Sequence, residues 1–169
     1  MHTILSIGKS ILFLLSLLLA EIFVGYILPE PLSYIHVGSI AITLYILLKE
    51  RGRIVWYIFI FSFLQELLFP SDIYGAMLLA GTLSALTAYW IHKFFLTNKS
   101  MLTGILLGVI TIFSYRIWWF LYQIVVFIVS DTMTKMPQWS FYILSMEVIV
   151  SEIAIILLLL IFQKKKDIV

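Results

Sequence analysis

Residues 101–129 read MLTGILLGVITIFSYRIWWFLYQIVVFIV, an unbroken apolar run whose single charged residue is Arg116. A helix needs about 20 apolar residues to cross a bilayer, and this run exceeds that before meeting Ser130-Asp131. Comparable stretches lie on either side. Residues 73–96 end at Thr97-Asn98-Lys99-Ser100, and residues 139–162 are followed by Lys164-Lys165-Lys166. Upstream, residues 11–28 end at Pro29-Glu30-Pro31. Residues 32–48 end at Lys49-Glu50-Arg51-Gly52-Arg53, and residues 54–69 end at Pro70-Ser71-Asp72. These two are the shortest of the six. Transmembrane barrels alternate apolar and polar residues, which these runs do not. The expected fold is an all-α integral membrane protein with six transmembrane helices, a single domain over residues 1–169.

Composition agrees. Of 169 residues, 63% are hydrophobic and 12% charged, against about 45–50% and about 25% in soluble domains. A soluble globule and a disordered chain are both excluded. A net charge of +2 provides no basic stripe, so no nucleic-acid partner is expected. The chain has no cysteine, which removes disulfides, thiolate nucleophiles and cysteine metal sites. Lys9 before an apolar run also suits a signal peptide, but Leu19-Ala20-Glu21 is a poor cleavage site. The first stretch therefore reads as a span.

Charge sets the orientation. With the N-terminus inside, every Lys and Arg except Lys135 and the intramembrane Arg116 falls on the cytoplasmic side. Glu30, Asp72 and Asp131 fall outside. The positive-inside rule then requires an even number of spans, with both termini cytoplasmic and sequential helices packed antiparallel. Trp56 and Trp90 near the inner ends fit the interfacial aromatic belt, as do Tyr26, Tyr34, Tyr74 and Trp139 near the outer ends. The lysine tail suits anionic headgroups of the lipid bilayer or a stop to insertion.

Five ionisable residues fall inside spans: Glu21, Glu66, Arg116, Glu147 and Glu152. Such residues face a bundle interior, a partner or water. At 1.5 Å per residue, Arg116, Glu147, Glu66 and Glu21 all lie roughly 10 Å below the outer surface, and Glu152 lies near mid-bilayer. A guanidinium stays charged, so Arg116 requires a carboxylate. Glu147 is the first choice, since consecutive helices are neighbours. The pair reads as a register-fixing device, or else as a binding or proton site. Glu147 and Glu152 are about 140° apart on a helix, which suggests that one faces the bundle and the other a partner protein.

Small residues form a second pattern. Ala76, Ala80, Ser84 and Ala88 recur every four residues, with Gly81 and Ala85 beside them, and Gly104 and Gly108 form a GxxxG. Small faces permit close helix approach, here as packing within the bundle or as a seam for a partner helix. No HExxH, GxSxG or phosphate-binding loop occurs. His36 and His92 sit near opposite membrane ends and read as interfacial residues, not ligands. No catalytic, cofactor or metal set is expected.

Residues 63–90 read FLQELLFPSDIYGAMLLAGTLSALTAYW. This segment resembles the centre of the rod shape-determining protein MreD family, where an acidic residue ends the third helix and a glycine opens a small-residue fourth. Glu66 takes the acidic position and Gly75 the glycine position, with Pro70 in the turn. The acid is Glu where the family more often has Asp, and residues 62–65 lack the glycine often found there. The resemblance implies six spans, internal termini and a bundle similar to the substrate-binding S-components of energy-coupling-factor transporters. It implies a non-enzymatic scaffold of cell-wall elongation in the bacterial cytoplasmic membrane, without cofactors. The implied partners are a bitopic MreC-like protein, an MreB-like filament and the peptidoglycan synthases. Those partners suggest Gly75, Ala76, Ala80 and Ser84 as a docking face. The alternative is a vitamin-type small-molecule binding S-component. The first helix, ILFLLSLLLAEIFVGYIL, lacks the small-residue repeat such a subunit usually carries.

Overall fold

The computed structural model describes residues 2–69, 73–129 and 140–166. Pro70, Asp72, Asp131, Lys135 and Trp139, which entered the topology, motif and anchor readings, lie outside them. Each apolar stretch contains one helix: α1 (His2–Ile27), α2 (Val37–Lys49), α3 (Arg53–Leu68), α4 (Ala76–Phe94), α5 (Met101–Val129) and α6 (Phe141–Lys166). No strand occurs among the described residues. Three segments are long and apolar enough to cross a membrane, namely Gly8–Ile27, Met101–Val129 and Phe141–Phe162. Large apolar side chains also cover the outer faces, with Leu12 at 71% exposure and Ile128 at 74%. In water such a surface would aggregate; in lipid it is the solvated face. The protein is an all-helical membrane protein.

Local chemistry sets the helix ends. Pro29 disfavours helical geometry in the residue before it, and α1 stops at Ile27. A 3-10 turn over Leu32–Tyr34 follows. The His36 ring accepts the Ser39 N–H at 3.1 Å and caps α2. Glu50 closes α2 in the left-handed region, φ 49°. Ser100 Oγ accepts the Thr103 N–H at 3.1 Å at the start of α5, as Ser commonly does at an N-cap. Two helices run past their apolar stretches: α1 begins at His2, and α6 continues through Lys166.

Helices α3, α4, α5 and α6 pack consecutively, with the α4–α5 interface the most extensive. The short α2 lies in the middle and touches all five other helices. Its Ile42, Thr43 and Ile46 are fully buried. The helix α1 packs on α2, α3 and the 3-10 turn, but its backbone comes nowhere within 8 Å of α6 among the described residues.

The close contacts fall on the small residues. Ala76, Ala80, Ser84 and Ala88 are all at or below 1% exposure, inside the bundle. A Cβ on Gly81 would strike Ser62 of α3, and one on Gly104 would meet Leu159 Cδ1 of α6 at 2.5 Å. The stripe on α4 and the GxxxG on α5 are therefore internal packing surfaces. The expected partner seam at Gly75, Ala76, Ala80 and Ser84 is not available on the exposed surface beyond the half-buried Gly75, because Ala76, Ala80 and Ser84 are buried in the bundle.

Candidate functional site

The polar residues of the bundle divide into three hydrogen-bonded arrangements. The first joins α5 to α6. Arg116 donates from Nε to Glu147 Oε2 at 2.7 Å and from Nη2 to Glu147 Oε1 at 2.6 Å. Two parallel charge-assisted bonds fix both partners' orientation. The guanidinium also stands over the Trp119 ring, 5.8 Å from its centroid, a cation–π contact. Next to the pair, the His36 and Tyr115 rings meet edge-on at 4.4 Å. The His36 backbone N–H donates to Ser151 Oγ at 2.8 Å. The entry to α2 is thereby tied to α6, one turn along from Glu147.

Glu66 forms the second arrangement. It ends α3 and is buried at 2% exposure. Its carboxylate accepts the backbone N–H of Gly75 and, at 3.3 Å, that of Leu78. The first amides of a helix lack internal partners and carry partial positive charge. Glu66 therefore caps α4 across the turn and makes no salt bridge with Arg116. Gly75 enters α4 at φ 90°, a conformation that glycine adopts without steric cost. An added Cβ would lie 3.0 Å from Tyr122 Oη, whose hydroxyl donates to the Tyr74 carbonyl at 2.8 Å.

The third arrangement is Glu21 of α1, whose Oε1 accepts from Gln65 Nε2 at 2.7 Å. Sequence depth had grouped Glu21 and Glu66 with Arg116. Each has its own hydrogen-bond partner, Gln65 for Glu21 and the first amides of α4 for Glu66, although both carboxylates, like Arg116 and Glu147, lie within electrostatic range of Tyr115.

Glu152 stands apart. It is 8% exposed, and neither carboxylate oxygen has a hydrogen-bond partner among the described residues. It lies against the bare backbone of Gly108. Glu147 and Glu152 are thus both buried in the bundle, and neither faces a partner protein. Both meet α5, Glu147 at Arg116 and Glu152 at Gly108, so the five-residue spacing does not keep them from a shared neighbour.

His36, Gln65, Ser151 and Trp119 were missed in the sequence. Only the proximity of His36 to a helix start offered a signal for any of them. Among the described residues no group of three or more His, Cys, Asp or Glu could hold a metal ion. No family model matches the chain, and no curated protein or solved structure matches it.

The Glu66 geometry carries a direct expectation. Glu66→Ala leaves two α4 amides without their acceptor, and loss of a cap costs about 1 kcal/mol. Glu66→Gln retains an acceptor but loses the charge, and should fall between. Thermal unfolding in detergent should rank wild type above Glu66→Gln above Glu66→Ala. Equal midpoints for all three would show that the cap does not stabilise α4.

Proposed function

We propose that the protein is a non-enzymatic scaffold of bacterial cell-wall elongation, of the MreD type, working with a bitopic MreC-like partner. The observation that carries this reading is the link between Glu66 and Gly75. The resemblance rests on an acid closing the third helix and a glycine opening the fourth. That spacing has a physical use here: the acid caps the helix that the glycine starts. The remainder of the bundle favours a structural role. Arg116 and Glu147 neutralise one another in a fixed geometry, and the small-residue faces are consumed in packing.

The same proposal includes six spans with both termini in the cytoplasm. Lys99 Nζ lies 3.0 Å from Glu50 Oε1, which brings the α2–α3 and α4–α5 loops to one end of the bundle. The basic residues of those loops are then on one side, as positive-inside bias requires.

Co-purification with an MreC-like protein, expressed together and solubilised in mild detergent, tests the function. A stoichiometric complex is expected. Its absence, with a folded protein in hand, overturns the scaffold reading, and a vitamin recovered bound to the purified protein would replace it with the S-component reading. A phosphatase reporter on the C-terminus should be silent; activity there would sink the topology.

A further inference from the structure

A cavity of about 820 Å³ lies between α1, α2 and the inner half of α6. That is within the usual range of about 300–1,000 Å³ for ligand sites. Its position follows from the packing, since α1 and α6 do not close on one another. The slot is therefore open sideways toward lipid.

Its two ends differ in chemistry. Along α1 it runs from Lys9 to Val24, which is about 22 Å of helix. That exceeds the roughly 15 Å of one leaflet, half of a hydrocarbon core about 30 Å thick. The outer and middle walls are apolar, formed by Phe13, Leu17, Ala20, Ile40, Ala41 and Leu44. The inner mouth carries Lys9, Lys49, Arg51 and Arg53. None of these four cations is in a salt bridge among the described residues. The nearby acid, Glu50, is not a wall residue and is engaged by Lys99 at 3.0 Å. Hydroxyls accompany the cations: Ser10 Oγ and Tyr57 Oη lie 2.9 Å apart at the mouth, and the Tyr45 and Tyr57 rings meet at 5.7 Å.

A long apolar slot, open to the bilayer and ending in four cations without a salt bridge among the described residues, one of them (Lys49) over the Tyr45 ring at 5.8 Å, with hydroxyls beside them, fits an amphiphile with an anionic head. We infer that it binds one anionic phospholipid, with the phosphate among Lys9, Lys49, Arg51 and Arg53 and an acyl chain laid along α1. Basic pockets between helices at the cytoplasmic face are a recognised way to hold such headgroups. Charge complementarity selects the head, and the length of the slot selects a lipid over free phosphate. This site is independent of the scaffold reading.

Native mass spectrometry of the purified full chain, titrated with phosphatidylglycerol or phosphatidylcholine, tests it. Wild type should retain one phosphatidylglycerol in clear preference to phosphatidylcholine. One cation near an anionic headgroup is worth about fivefold in affinity, so Arg51→Gln with Arg53→Gln should weaken phosphatidylglycerol about 25-fold. Lys93→Gln, at a basic residue away from the cavity walls, should change it little. Ala20→Trp fills the slot without altering charge and should also lower retention. If the arginine pair fails to fold, Lys9→Gln with Lys49→Gln gives the same reading. Equal retention of the two lipids by wild type would overturn the site. So would equal losses in the cavity and control variants, or no effect of Ala20→Trp. Displacement of the lipid by millimolar inorganic phosphate would show that a free anion, not a lipid, is recognised.

Discussion

Glu147→Ala is expected to cost the protein more stability than Arg116→Ala, although the two changes break the same ion pair. Breaking a buried pair by removing one partner costs about 3–5 kcal/mol, chiefly because the other charge is left behind. The two survivors are not equivalent. A carboxylate left alone can take up a proton, whereas a guanidinium cannot lose one. Glu147→Ala strands Arg116 in the bundle without its ion-pair partner, beside the Trp119 face. At about 2–4 °C per kcal/mol for a chain of this size, the melting midpoint should fall by about 10 °C. Arg116→Ala should fall by less, and the double variant by less than the sum of the two. Thermal unfolding of the four proteins in one detergent measures the cycle. Strict additivity would mean that the bidentate contact contributes no coupling.

The second large effect concerns the helix contacts. Gly108→Leu should abolish folded protein, while Gly25→Leu should leave yield unchanged. A Cβ on Gly108 would run into Glu152 and would meet Ile155 Cδ1 at 2.7 Å. Beyond that first atom, leucine adds a branched side chain where the Cβ already meets α6 side chains. Overpacking costs about 1–3 kcal/mol where neighbours can adjust and more where they cannot, and here α5 would be forced away from α6. A Cβ on Gly25 finds nothing within 4 Å, so the same change there adds only lipid-facing surface. Ala80→Leu belongs with Gly108→Leu, since Ala80 is fully buried. Fluorescence-detected size exclusion of tagged proteins separates these outcomes. Normal monodisperse Gly108→Leu would show that the α5–α6 contact is looser than described. A folded Ala80→Leu that had lost only its partner would restore the α4 seam.

The helices were legible because lipid imposes a simple constraint: each must carry a long apolar run. The Arg116–Glu147 pair was legible for a related reason. Depth in a bilayer can be counted along the sequence, and consecutive helices are neighbours. Depth alone did not assign the hydrogen-bond partners of Glu66 and Glu21, because it ignores azimuth. Glu66 lies at the level of Arg116 but points along its own turn toward Gly75, and Glu21 faces Gln65 because α1 packs on α3. The lipid slot had no sequence signature. Its basic residues read as ordinary topology signals, and its existence depends on α1 and α6 failing to meet. The burial of both Glu147 and Glu152 was hidden too, since about 140° between helix positions does not stop two long side chains from reaching the same neighbour, here α5.

The central helix has a bearing on how the chain is made. At 13 residues, α2 is only about 20 Å long, short of the roughly 30 Å hydrocarbon core, and the 16 residues of α3 are also brief. On the six-span reading, neither is a strong independent substrate for the insertion machinery as the ribosome delivers it. They are separated by Glu50, Arg51 and Gly52 alone, with Lys49 and Arg53 flanking that turn. Membrane integration of α2 is then a joint event with α3, the two entering as a hairpin beside an α1 already in place. The segment that ends at the heart of the bundle is thus the one least able to reach the membrane by itself.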